Sequence, residues 1–123
     1  AKAAGLYEVI GEEIDDKYME ALKKLVLRPE AIKEQADKLK IVYTSLHGTG
    51  NIPVRRVLKE LGFNNVYVVK EQEFPDGDFP TVSYPNPEAK EAFELGLAMA
   101  KEKNAEVIAK LEEIIDTLKN DEE

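Results

Sequence analysis

Lys40-Ile41-Val42-Tyr43-Thr44, the loop Ser45-Leu46-His47-Gly48-Thr49-Gly50-Asn51, the run from Ile52 to Leu61, and Val66-Tyr67-Val68-Val69 together decide the fold. β-Branched and aromatic residues dominate the first and last runs, which predicts two strands. Between them Ile52, Val54, Val57, Leu58 and Leu61 supply the apolar face of a helix. Asn51 is placed to cap its start, and Gly62 to follow its end. Strand, helix and strand make a βαβ unit. Its strands run parallel, because only a crossover can join parallel neighbours, and that crossover is right-handed.

Toward the N-terminus, residues 1–11 read as a lead-in that ends at Gly11. Ile14, Tyr18, Leu22 and Leu25 then recur at spacings of three and four, with Met19 and Val26 beside them, so a helix is expected. Glu12, Glu13, Asp15 and Asp16 suit its first turns, where the helix dipole favours negative charge. Arg28-Pro29 closes it, since the residue before a proline avoids helical geometry. A shorter helix is expected from Pro29 to about Leu39.

Toward the C-terminus, Glu71 to Pro87 is irregular and holds four of the six prolines. A loop of that length is functional or packs on a neighbour. Asn86-Pro87-Glu88 gives a helix start, with Ala89, Phe93, Gly96, Leu97 and Ala100 as its apolar stripe. Two readings follow for the next segment. Val107-Ile108 starts a third strand, or a new helix runs from about 106 to 119. Val107, Ile108, Leu111, Ile114, Ile115 and Leu118 keep a helical period, which favours the helix. The predicted class is α/β: a small parallel sheet of two to three strands, helices packed on its faces, and an extra C-terminal helix. Residues 12–119 are expected to form one domain and 120–123 a frayed tail.

Composition sets the bounds. The 123 residues are 43% hydrophobic and 34% charged, as in a globular domain. A net charge of −8 repels polyphosphate, so nucleic acid and anionic membrane are not expected as partners. There is no cysteine, which excludes disulfides and thiolate chemistry. No long apolar run and no signal-peptide pattern is present, and a cytoplasmic location is the default.

The candidate chemistry centres on His47, Gly48, Thr49, Gly50 and Asn51, between a strand and a helix start. Free N–H groups and the helix dipole could hold a small anion there. The spacing fits neither a Walker loop nor a dinucleotide fingerprint. The competing and favoured reading is a tight turn, with Gly48 and Gly50 at positive φ. His47, the one histidine, is either a proton shuttle or a structural hydrogen-bonding group, and the second is favoured. Thr44, Ser45 and Thr49 read as turn and capping hydroxyls in the absence of a base poised on them. Glu71, Glu73, Asp76 and Asp78 cluster without an EF-hand series, so a solvated turn is expected rather than a metal site. Arg55 and Arg56 suggest surface salt bridges. Phe79 and Tyr84 suggest contact with a neighbouring domain.

Three stretches carry a family resemblance. Val42-Tyr43-Thr44-Ser45-Leu46-His47-Gly48-Thr49-Gly50 resembles the T-P-L-H-G-x-G strand and loop of phosphohexomutases (phosphoglucomutase/phosphomannomutase), with Ser45 where many relatives have proline. Glu73-Phe74-Pro75-Asp76-Gly77-Asp78-Phe79-Pro80 and Tyr84-Pro85-Asn86-Pro87-Glu88 resemble that family's D-G-x-F-P and P-N-P-E segments. Gly5-Leu6-Tyr7 with Ile10-Gly11 and Ile14-Asp15 is similar to the linker leaving the first domain. The match covers about residues 5 to 106 and only the second domain, and it looks most like Gram-positive phosphoglucomutases.

The resemblance implies an intact enzyme that interconverts glucose 1-phosphate and glucose 6-phosphate with Mg²⁺. The family's T-A-S-H-N-P serine loop, its D-x-D-x-D-R metal loop, its G-E-x-S sugar loop and its phosphate-binding loop are not found in this sequence. The expectation is therefore a domain without catalysis of its own, carrying no catalytic, cofactor or metal residue. Its partners would be the remaining domains, with sugar phosphate or a homodimer through the C-terminal helix as further options. A small-anion or sugar-phosphate module, and an interaction or engineered scaffold domain, are the alternatives.

Overall fold

Among the described residues, β1 (Lys40–Tyr43) is the middle strand of a three-stranded parallel sheet with the order β2-β1-β3. The computed structural model of the protein describes residues 2–109. β2 (Asn65–Val68) pairs so that Val42 faces Tyr67, and β3 (Val107–Ala109) so that Val42 faces Ile108. Ile41, Val42 and Tyr43 are all buried. Burial of consecutive residues is what a parallel strand covered on both faces requires, and it explains the unbroken apolar run.

The coverings are α3 (Asn51–Glu60), which connects β1 to β2, and α4 (Lys90–Lys103), which connects β2 to β3. These two crossovers travel in opposite directions across the sheet. With the right-handed sense that such connections take, they place their helices on opposite faces. Val42, Val69 and Ala100 form the innermost cluster, with Tyr67, Leu95, Met99 and Ala105 packed against it. α4 presents Ala92, Gly96 and Ala100 inward, one turn apart, so its backbone can lie close to β1. Gly96 and Ala100 of the expected stripe are thus buried, whereas Leu97 is exposed and Ala89 precedes the helix.

Outside α3 lies α1 (Glu12–Lys23), followed by α2 (Pro29–Gln35). α1 buries Met19, and Leu22 and Val26 are half-buried, whereas Ile14, Tyr18 and Leu25 are exposed. Its link to α3 is partly ionic. Arg56 pairs with Asp16 and Glu60, and Lys23 reaches the same Glu60 at 2.7 Å. The two arginines thus serve in salt bridges, as expected of Arg55 and Arg56.

Four boundaries differ from the sequence reading. Residues 107–109 are a strand and not the start of a helix. Asn104 turns left-handed at φ 50 and ends α4, and the N–H of Ala105 returns to the Ala100 carbonyl. The next residues then satisfy the free edge of β1. Glu106 Oε2 accepts from the Lys40 N–H at 3.1 Å, and Lys40 Nζ donates to the Lys103 carbonyl. The expected C-terminal helix beyond Ala109, and any dimer through it, lie outside the described residues. Asn51 is the first helical residue rather than the cap, because Gly50 already has helical dihedrals. Asn86 Oδ1 accepts from the Glu88 N–H in a local turn, which delays the start of α4 to Lys90. Finally, α2 ends at Gln35, short of Leu39. Gly62, at φ +100, follows α3 as expected. Among the described residues no helix is long and apolar enough to cross a membrane.

Val42 is fully buried at the centre of the sheet. Val42→Ala removes two methyl-sized groups from a site that cannot collapse, and should cost about 2 kcal/mol. A urea midpoint that falls by the corresponding amount, with an unchanged slope, is the expected result.

Candidate functional site

In an open sheet whose connections leave to both sides, ligands enter at the carboxyl ends of the strands where the direction switches. Here that switch lies between β1 and β3. The loop after Tyr43 forms its floor, and its backbone is unusual. Leu46 and His47 have φ values of 46 and 59, the left-handed region that side chains avoid. The expected positive φ at Gly48 and Gly50 is not found; those two glycines meet a different need. A Cβ on Gly48 would sit 2.9 Å from the Ser45 carbonyl oxygen, and one on Gly50 would sit 2.9 Å from the Tyr43 hydroxyl. Glycine is required here for close approach.

A directed chain of hydrogen bonds holds the two left-handed residues. The Leu46 N–H donates to Thr44 Oγ1, and the Thr44 hydroxyl donates to Gln72 Oε1 at 2.6 Å. Gln72 Nε2 donates to Thr81 Oγ1 at 3.1 Å and reaches the Ala92 carbonyl at 3.5 Å. Thr81 in turn meets His47 Nε2 at 3.0 Å, and His47 Nδ1 meets the Phe74 carbonyl at 3.1 Å. A carbonyl can only accept, so Nδ1 carries the proton and Nε2 receives the Thr81 hydroxyl. The main chain of His47 is tied as well: its N–H donates to the Gln72 carbonyl, and its carbonyl accepts from Asp76. Ser45 Oγ donates to the carbonyls of Gln72 and Glu73 at 2.9 and 3.0 Å.

These bonds place each predicted site residue. His47 is buried with both ring nitrogens engaged, and its ring meets Phe79 edge-on. Gly48 donates its N–H to Ser45 inside the turn. Thr49 is exposed and Gly50 half-buried at the start of α3. Asn51 is buried, with Oδ1 accepting from Arg55. Gln72 and Thr81 are the residues that sequence reasoning missed. Nothing in a polar, proline-rich stretch marks which glutamine goes inside.

The acidic cluster divides. Glu71, Asp76 and Asp78 are exposed, and Asp76 Oδ1 accepts from the Asp78 N–H as a turn signal should. Glu73 is buried between Lys70, at 2.7 Å, and Arg55, at 2.5 Å. The Lys70 hydrogen bond, aided by the charge of Arg55, holds its carboxyl below the usual range against the opposing effect of desolvation. Among the described residues no group of three or more His, Asp or Glu side chains could hold a metal ion.

Above the loop is a pocket of about 460 Å³, whose lining includes Tyr43, Thr49, Gly50, Phe79, Pro85 and Pro87. Tyr43 is 3% exposed, and burial pushes its phenol up, so it remains protonated.

Comparison with known proteins adds the following. The family model described as phosphoglucomutase/phosphomannomutase, alpha/beta/alpha domain II, matches residues 16–112. The chain is 41% identical over 102 residues to a probable phosphomannomutase of Haemophilus influenzae, covering 83% of this chain and 20% of that protein. It is 36% identical over 104 residues to a phosphoglucomutase of Staphylococcus saprophyticus, covering 85% and 18%. It is 42% identical over 98 residues to the glucose 1,6-bisphosphate synthase of Homo sapiens, covering 79% and 15%. The chain thus spans a fifth or less of the length of these relatives. No solved structure matches it.

Gly50→Ala should destabilise the fold by about 1–3 kcal/mol through overpacking against the Tyr43 hydroxyl. Adding Tyr43→Phe removes the clashing oxygen and should recover most of that loss, as thermal melts of the parent and the two variants would show. Glu73 generates a pH dependence. Its folded value is depressed, so its contribution is fully present above the ordinary glutamate range and is lost as pH falls through the folded value. Glu73→Gln should therefore be less stable than the parent at neutral pH. The difference should shrink once pH drops below about 4.3, the unperturbed glutamate value. A gap that stays constant down to the acid limit would contradict this.

Proposed function

Because the chain belongs to the phosphoglucomutase/phosphomannomutase family through its alpha/beta/alpha domain II, we propose that it serves as that domain in a phosphohexomutase and has no turnover by itself. In this reading the enzyme interconverts hexose 1-phosphate and hexose 6-phosphate in the cytoplasm. The observation that carries the second part is the state of the loop after β1. His47 has both ring nitrogens bonded inside the protein, and the Thr44 and Ser45 hydroxyls donate inward. A nucleophile needs a base poised on it, and a base needs a free lone pair aimed at substrate. The loop offers neither.

The Mg²⁺ of the family would supply electrostatic stabilisation of the transferred phosphoryl group. The described residues do not fit it, since no three potential ligands converge. The work of this chain is then positional: the buried hydrogen-bond chain fixes the loops at the carboxyl edge of the sheet. Relatives named for different substrates share this domain at 36–42% identity, which supports a common frame rather than the part that selects the sugar. Phe74 and Tyr84, 69% and 70% exposed on the loop after β2, fit a surface covered by the remaining domains.

The test has two arms. The purified chain, given glucose 1-phosphate and Mg²⁺, should yield no glucose 6-phosphate above the blank. The staphylococcal phosphoglucomutase with its own domain II replaced by this chain should retain turnover. Conversion by the chain alone would overturn the catalytic claim, and an inactive but folded chimera would overturn the domain role.

A further inference from the structure

The pocket at the carboxyl end of β1 has a polar floor that the fold leaves unused. α3 begins without a side-chain cap. The N–H groups of Thr49 and Gly50 have no hydrogen-bond partner among the described residues, and both residues line the pocket. Unpaired donors at a helix start carry a partial positive charge. A second observation is independent of the helix. Tyr43 is 3% exposed, yet its hydroxyl has no hydrogen-bond partner among the described residues, although the charge of Arg55 acts on it. It also lines the pocket, with its oxygen beneath Gly50, where even a Cβ would come within 2.9 Å. Buried phenols normally find an acceptor. This one lines the same pocket as the two residues with unpaired backbone donors.

The rest of the lining is unlike the floor. Leu46, Phe79, Pro85 and Pro87 form apolar walls, and the edge-on contact with His47 fixes the ring of Phe79. Three donors beneath apolar walls select a ligand with an acceptor at one end and a flat, apolar body. We propose that this pocket binds a small organic oxyanion of the aryl phosphate class. The oxyanion would be held by the Tyr43 hydroxyl and the N–H groups of Thr49 and Gly50, and the ring by Phe79, Pro85 and Pro87. The site differs from a hexose-phosphate subsite, because a sugar presents hydroxyls on every side and the lining offers them only the hydroxyls of Thr44, Ser45 and Thr49, of which the first two already donate inside the protein. It narrows the anion loop expected over residues 47–51 to its last turn, since His47 and Gly48 are spent inside the protein. The inference does not rest on the mutase reading, and its failure would leave that reading intact.

An NMR titration of the ¹⁵N-labelled full chain decides it, with phenyl phosphate, glucose 1-phosphate and inorganic phosphate run in parallel. Phenyl phosphate should give saturable shifts at the Thr49 and Gly50 amides. Tyr43→Phe should weaken that binding about tenfold, the loss expected for one hydrogen bond to a charged acceptor. The other two ligands should bind at least about tenfold more weakly than phenyl phosphate, for want of an apolar body. The proposal is overturned by an absence of saturable shifts with phenyl phosphate, by equal binding of inorganic phosphate or glucose 1-phosphate, or by a folded Tyr43→Phe chain that binds like the parent. The parent titrations alone decide the ligand class, so the conclusion does not depend on the stability of the variant.

Discussion

The side chain of Gln72 has no contact with water, so each of its polar atoms must be matched inside the protein. Its Oε1 takes the Thr44 proton, its Nε2 serves Thr81 and the Ala92 carbonyl, and its main-chain oxygen receives both His47 and Ser45. One residue thus joins the end of β1, the loop after it, the long loop after β2 and the first turn of α4. The left-handed pair Leu46-His47 is tolerable only because these bonds over-determine it. The shape of the carboxyl edge, with its pocket and its glycine contacts, follows from that joint.

The sequence revealed those parts of the fold that local chemistry decides. The Ile41-Val42-Tyr43 run is apolar without alternation because both faces of β1 are covered, and a reader can see that. The parallel pairing with β2 follows from the helix between them. β3 was misread because Val107 and Ile108 keep step with apolar residues further on, and periodicity sees only near neighbours. What decides the strand is the unpaired edge of β1, whose Lys40 lies far away in sequence and is pinned through Glu106 and Lys103. The α4 stripe is legible only in part, for a related reason: Gly96 and Ala100 are buried as expected, and Ala92 takes the place of the larger residues. Phe93 and Leu97 look like core, yet close approach to the sheet selects the small residues Ala92, Gly96 and Ala100.

The site was legible in outline and misread in detail. The loop over residues 47–51 does stand at a helix start beside a pocket. The glycines, however, were assigned to backbone dihedrals when they are needed for clearance. His47 makes the structural hydrogen bonds that the sequence reading favours, although its partners Thr81 and Phe74 lie in a stretch whose composition suggests solvent. Glu73 illustrates the same limit. Four carboxylates sit close together in sequence, and only the position of Lys70 and Arg55 in three dimensions selects the one that goes inside.

The central position of β1 also has a consequence for how the chain is made. Its two partners arrive at very different times: β2 follows after one helix, and β3 only after the long loop and all of α4. During synthesis, at roughly 5–20 residues per second, β1 therefore waits for seconds with one hydrogen-bonding edge bare and with Ile41, Val42 and Tyr43 only partly covered. An apolar strand with a bare edge is a template for pairing with other chains. The nascent chain is thus more vulnerable to aggregation than the finished one, and closure of the β1–β3 ladder is the event that ends the exposure.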